Sequence, residues 1–166
     1  MTTRLAPNFL LRLFGRVEPA LAEAGIRDAA AIAELHAASF RRGWSEQEVE
    51  GLLTERNVVA HRAAIGGRFV GFIMTRLALD EAEILSIAVA HGRRGRGLGG
   101  RLLSLHLRRL AGLGAKTVFL EVEEYNKAAI RLYRRAGFHE IARRENYYPH
   151  GSGTAAAALV LRRDIA

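Results

Sequence analysis

The strongest constraint on how this chain folds is a glycine turn set between two apolar runs. Ile84 to Val89 reads as a strand, Leu98 to Ala111 as a helix, and Arg94-Gly95-Arg96-Gly97-Leu98-Gly99 joins them. Glycine lets the backbone approach a ligand closely and adopt conformations that a side chain forbids. The first-turn amides of the following helix have no internal partner and carry the positive end of its dipole. Strand, glycine turn and helix in that order build a cradle for phosphate. Arg93, Arg94, Arg96 and Arg101 surround it with mobile positive charge, so a pyrophosphate-bearing ligand is expected.

Spacing narrows the nucleotide. A Walker loop closes on Lys-Ser or Lys-Thr, and Gly99-Gly100-Arg101 has neither. Gly95-Arg96-Gly97-Leu98-Gly99-Gly100 fits the dinucleotide string G-x-G-x-x-G as written. That fold also requires an acidic residue about 20 positions on, at the end of a second parallel strand. Glu121 is near that distance but lies inside its strand, and the glycine turn comes too late in the chain.

At 166 residues and 49% hydrophobic content, the chain suits one folded domain and excludes wholesale disorder. It has no cysteine, hence no disulfide framework, no thiolate metal site and no cysteine nucleophile; no metal is expected. No apolar run reaches the roughly 20 residues of a membrane-spanning helix. Phe9 to Phe14 is short and broken by Arg12, so neither a signal peptide nor a membrane partner is expected, and a cytoplasmic location is the default. The net charge of +8 favours anionic partners, although arginine-rich usage also follows from genomic base composition. Basic residues are dispersed and aromatics few, so no direct nucleic-acid role is expected.

Residues 1–25 stand apart as an N-terminal extension, with Pro7, Pro19 and an amphipathic pattern from Asn8 to Val17; residues 26–166 form the domain. Asp28 is placed to cap a helix from Ala29 to His36, and Ser45 with Glu48 forms a capping-box pattern for a second. Val58–Ile65 and Phe69–Leu77 read as strands joined through Gly66-Gly67. After the helix that follows the glycine turn come a strand Thr117–Val122 and a helix Lys127–Ala136. Strands Phe138–Ala142 and Thr154–Leu161 complete the chain. The order implies a mixed α/β fold with one layer of sheet.

Three features downstream carry chemistry. Ile87-Ala88-Val89 leads into the turn; if it splays from its neighbour, its backbone polar groups become available to a ligand. It also suits an ordinary buried strand. Glu121 lies inside the apolar strand Val118–Val122, where desolvation favours a general base, or it is a solvent-facing carboxylate paired with an arginine. Glu123 and Glu124 compete for the role. Asn126 suits a helix N-cap, and Tyr133, two turns on, is either a core aromatic or a proton donor.

Taken together, these residues resemble the GNAT family of N-acetyltransferases. Arg94-x-x-Gly97-x-Gly99 matches its Arg/Gln-x-x-Gly-x-Gly/Ala loop. Asn126-x-x-Ala129-x-x-Leu132-Tyr133-x-x-x-Gly137-Phe138 matches its second signature. Ile87-Ala88-Val89, Leu120-Glu121-Val122, Trp44-Ser45-Glu46 and Asn146-Tyr147-Tyr148-Pro149 resemble the RimI branch, the ribosomal-protein alanine N-acetyltransferases. The likeness spans about Ile26 to Arg162. It implies a GNAT-like, mostly antiparallel central sheet flanked by helices, with acetyl-CoA as co-substrate. The cofactor's pyrophosphate would lie on Arg94, Gly95, Arg96, Gly97, Leu98, Gly99 and Gly100, its pantetheine on Ile87, Ala88 and Val89, with Asn126 beyond. Glu121 is then the base and Tyr133 the acid. Trp44, Tyr147 and Tyr148 would wall the peptide side, and the acceptor would be a protein N-terminus, alanine first, of a small-subunit ribosomal protein. Another amine acceptor and a non-catalytic CoA-binding or ribosome-associated module remain open. The last strand, Ala155 to Ala158, lacks the acidic and bulkier side chains often seen in the branch.

Overall fold

The computed structural model describes residues 17–148 and 156–166. The strands are β1 (Ala20–Glu23), β2 (Val58–Ile65), β3 (Arg68–Ala78), β4 (Glu81–Val89), β5 (Thr117–Glu123), β6 (His139–Tyr148) and β7 (Ala156–Asp164). The helices are α1 (Ala29–Ser39) and α2 (Glu46–Thr54) before β2, α3 (Leu98–Gly112) between β4 and β5, and α4 (Lys127–Arg135) between β5 and β6. The strands form a single sheet in the order β1-β2-β3-β4-β5-β7-β6. Only β4 and β5 pair in parallel; every other neighbouring pair is antiparallel. The mixed, mostly antiparallel architecture expected from the sequence is the one observed.

Strand alternation sends side chains to two cores. In β5, Val118, Leu120 and Val122 are buried with Leu98, Leu102, Leu103, Leu107 and Leu110 of α3 and with Ile130 and Tyr133 of α4. Each leucine withdrawn from water on this face contributes about 1.5–3 kcal/mol. The opposite face holds a smaller core, in which Ile32 and Ala33 of α1 and Val49 of α2 pack with Ala60, Phe72, Met74 and Ala88. Glu121 and Glu123, out of phase with the first set, belong to this second face.

Local signals mostly act where the sequence places them. Ser45 Oγ accepts from the Glu48 N–H at 3.2 Å, and the Glu48 carboxylate accepts from the Ser45 N–H at 2.7 Å, closing the start of α2. Asp28 differs. It precedes α1, but its carboxylate accepts from the Gly25 N–H at 2.9 Å, because a 3-10 turn over Ile26–Asp28 brings that amide within reach first. The N-terminal boundary differs too. Ala20–Glu23, assigned by sequence to the extension, pairs antiparallel with β2 from Ala20↔Ala64 to Glu23↔His61 and forms an edge of the sheet. The expected helix pattern from Asn8 lies almost wholly outside the described residues. Among the described residues no helix is long and apolar enough to cross a membrane.

Candidate active site

β4 loses its parallel partner early. Its register with β5 runs only from Glu81↔Thr117 to Glu83↔Phe119, whereas β3 accompanies it as far as Gly71↔Val89. The Ala90 N–H donates to the Val70 carbonyl at 2.9 Å. Antiparallel pairing alternates, so Ala88 also faces β3, while the amides and carbonyls of Ile87 and Val89 point the other way, into the opening between β4 and β5. The strands therefore part beside Ile87 and Val89, while Ala88 keeps its backbone pairing with β3.

The turn beyond β4 is shaped by its glycines. Gly95 and Gly97 have φ of 72° and 81°, the left-handed region, and nothing lies within 4 Å of where a Cβ would stand at either. Gly97 occupies the N-cap position of α3, supplies no side-chain cap, and is followed by no acidic residue in the first turn. The first-turn amides of α3 thus have no acceptor from a capping or first-turn side chain.

Arg94 departs from the expected mobile charge. Its Nε donates to the Val89 carbonyl at 2.8 Å and its Nη2 to Ser39 Oγ at 3.3 Å, tying the turn to β4 and to the end of α1. Arg101 bonds Glu18 at 2.6 Å. Arg93 is half-buried and Arg96 exposed.

A groove of about 1030 Å³ runs from this turn between α3 and α4. Its walls include Ile87, Val89 and the glycine turn, and Asn126, Ala129 and Leu132 from α4. Four basic residues that the sequence left unassigned also line it: Arg108, Arg131, Arg135 and Arg163. Arg131 and Arg135 stand four apart on α4, a spacing that places them on one face; that was the available signal. The volume is ample for an extended nucleotide-bearing ligand. Glycine cradle, open helix start and basic walls fit the pyrophosphate expected here.

Glu121 and Tyr133 come from opposite faces of the sheet. The Glu121 carboxylate is one-quarter exposed and pairs with Arg144 of β6 at 2.8 Å. Arg144 reaches it across β7: Arg144 stands opposite Ala158, and Glu121 opposite Val160. Ala158 is fully buried and small, which leaves room for the arginine to cross. Glu124 has another task. Its Oε1 accepts from the Ala157 N–H at 2.9 Å and its Oε2 pairs with Arg143. The Ala157 amide, aided by Arg143, holds that carboxyl below its usual range. Glu123 is half-buried on the same face as Glu121.

Tyr133 is 5% exposed, with its ring 5.6 Å from that of Phe138. Burial pushes its hydroxyl well above the ordinary tyrosine value, so it stays protonated at neutral pH. Asn126 is exposed and caps α4, its Oδ1 accepting from the Ala129 N–H at 3.1 Å.

Trp44 belongs to the loop between α1 and α2. Its indole stacks on His36 with centroids 4.0 Å apart, and its backbone N–H donates to His36 Nδ1 at 3.1 Å. Burial lowers the His36 pKa to about 4, so the ring is neutral and able to accept. Gly43 in the same loop lies so close to α1 that an added Cβ would stand 2.7 Å from Ala37 Cβ. Tyr147 and Tyr148 fall in β6, but their side chains lie outside the described residues.

A strand opening beside a glycine-bridged helix start, above a groove with basic walls, suits a ligand that carries phosphate. Residues 29–138 match the model of the acetyltransferase (GNAT) family, and the chain belongs to that family. It is an acetyl-CoA-dependent N-acetyltransferase. The [ribosomal protein bS18]-alanine N-acetyltransferase of Salmonella typhimurium is 38% identical over 117 residues, 70% of this chain and 78% of that relative. The protein of the same name from Escherichia coli K12 is 36% identical over the same span. Among solved structures, the ribosomal-protein-S18-alanine N-acetyltransferase from Escherichia coli superposes with a TM-score of 0.83 at 29% identity. It covers 90% of this chain and 95% of that one. Ard1 from Thermoplasma volcanium gives 0.79 at 25% identity, covering 89% and 98%.

Proposed function

We propose that this chain acetylates the α-amino group of a protein N-terminus, with the N-terminal alanine of a small-subunit ribosomal protein as acceptor. The observation that carries the proposal is the position of Glu121: a mostly buried carboxylate on β5, beside the β4–β5 opening, on the face away from the groove helices. The likeness to bS18-alanine N-acetyltransferases over 117 residues supports the choice of acceptor.

Acetyl-CoA supplies an acetyl group already activated as a thioester. The amides from Arg94 to Gly100 hold its pyrophosphate, helped by the basic groove residues, and the outward backbone groups of Ile87 and Val89 receive the pantetheine. Asn126 contributes from the start of α4. Glu121, directly or through one water, removes one proton from the acceptor's ammonium. The free amine attacks the thioester carbonyl; a new C–N bond forms as the C–S bond breaks. The Val89 amide faces the charge that develops on the carbonyl oxygen. Tyr133 donates its proton to the leaving sulfur and recovers one from the nitrogen as the amide forms, so one proton in all is released. Trp44 belongs to the peptide-side wall.

Intact-mass measurement tests this with N-terminal Ala, Ser and Met peptides, a blocked lysine peptide and spermidine as acceptors. Selective modification of the Ala peptide's α-amine is the expected result; preference for lysine or spermidine overturns the acceptor. Glu121→Gln is expected to reduce turnover by roughly 10²- to 10⁴-fold with CoA affinity kept. Undiminished turnover in that variant overturns the base assignment.

A further inference from the structure

Ser86 carries the one buried side-chain polar atom without a hydrogen-bond partner among the described residues. The residue is 7% exposed. A hydroxyl withdrawn from water and left unpaired is unfavourable, so its retention calls for a partner that arrives with the ligands.

Its position says where that partner stands. The β3–β4 register passes from Met74↔Ser86 to Thr75↔Ile84, which leaves Leu85 as an extra residue on β4. At such a bulge two successive side chains share a face. Ile84 and Ile87 pack into the α3/α4 core, whereas Leu85 packs with Phe72, Met74 and Ala88 on the other face. Ser86, opposite Met74, belongs to this second face as well. On β5, Phe119 stands opposite Glu83, so one strand step further brings Leu120 level with Ile84 and Glu121 level with the bulge. Ser86 and Glu121 therefore lie on the same face of neighbouring strands, across the stretch where those strands have parted.

We propose that Ser86 is a positioning residue of the acceptor side, whose hydroxyl holds the water that carries the acceptor's proton to Glu121. This rests on Glu121 being the base. The water takes one proton from the ammonium and gives one of its own to the carboxylate, while Ser86 Oγ accepts its other hydrogen and orients it. Serine is unchanged at the end of the cycle. An unbulged β4 would place only one residue on this face at the level of Glu121; the bulge adds the second, and that second residue is the serine.

The experiment is steady-state acetylation of an N-terminal Ala peptide by Ser86→Ala, Ser86→Thr, Glu121→Gln and the Ser86→Ala/Glu121→Gln pair, with melting temperatures as the folding control. Ser86→Ala removes an unpaired hydroxyl and is expected to melt at or above the wild-type temperature. Its kcat is expected to fall roughly 10- to 100-fold, the scale of lost orientation at a reacting group, with the acetyl-CoA KM unchanged. Ser86→Thr recovers activity, and Ser86→Ala adds no further loss to Glu121→Gln. Wild-type kcat in Ser86→Ala, with Glu121→Gln inactive, overturns the water-holding role and leaves the base assignment standing. Equal losses from Ser86→Ala with and without Glu121 also overturn it. Full turnover in Glu121→Gln removes the base assignment, and this inference with it.

Discussion

Helices α2 and α3 begin in opposite ways. α2 closes its own start: Ser45 and Glu48 exchange hydrogen bonds, and two acidic side chains, Glu46 and Glu48, sit in its first turn. α3 starts on a left-handed glycine with no side-chain cap and no acidic residue in its first turn, between arginines. A self-capped helix start is a structural end; an uncapped one facing a groove is a place for an anion. The α4 start is intermediate, since Asn126 both caps it and lines the groove.

The sharpest way to break this comparison is Gly97→Val. A β-branched residue at φ 81° is strained by about 1–3 kcal/mol and obstructs the cradle. CoA affinity measured by calorimetry should fall by roughly tenfold or more. Wild-type affinity would mean that the open start is not the cradle.

The comparison extends to how the helices are anchored. α3 is tied to the sheet through a buried chain: His61 Nδ1 lies 2.7 Å from His106 Nδ1, and His106 Nε2 lies 2.7 Å from Thr75 Oγ1. Burial, with His61 nearby, lowers the His106 pKa to about 3. Burial likewise lowers that of His61, which Glu23 opposes and Arg109 assists. The folded values lie below the unfolded value of 6.5, so on acidification the unfolded chain takes up protons first. The stability these groups contribute is complete above pH 6.5 and declines as pH falls from there toward 3. Each proton bound only by the unfolded chain costs up to about 1.4 kcal/mol per pH unit. Denaturant midpoints between pH 7 and pH 4 should fall steeply, and less so in His106→Leu; equal slopes would dissociate α3's anchoring from these histidines.

Smaller effects sharpen the distinction. Asn126→Ala should lower stability by about 1 kcal/mol and also raise the acetyl-CoA KM, whereas a stability change alone would reduce Asn126 to a cap. Ser45→Ala should cost about 1 kcal/mol in thermal or denaturant unfolding and leave CoA binding untouched. A CoA defect there would couple α2 to the cofactor and erase the contrast.

Much of this was legible residue by residue. The capping box at Ser45, the glycine turn and the Asn126 cap are local: their partners lie within four residues, so composition and spacing suffice. β1 was not legible, because four residues with three exposed side chains carry no alternation and form a strand only where β2 offers an edge. Arg94 illustrates the same limit. Its charge is visible in the motif, but Ser39, its partner from α1, is 55 residues away.

The sequence alone determined which backbone conformations are permitted at the turn, where helices start, and which residue types are present for proton transfer. Those properties follow from steric and hydrogen-bonding rules acting over a turn or two. Only the tertiary structure decided that β4 and β5 part after Glu83, that Glu121 faces Arg144 while Tyr133 lies in the opposite core, and that a bulge brings Ser86 to the face of Glu121. These depend on strand register and on which face each residue occupies. A single extra residue, Leu85, reverses that face for everything beyond it, and the register is set by packing between elements distant in the chain.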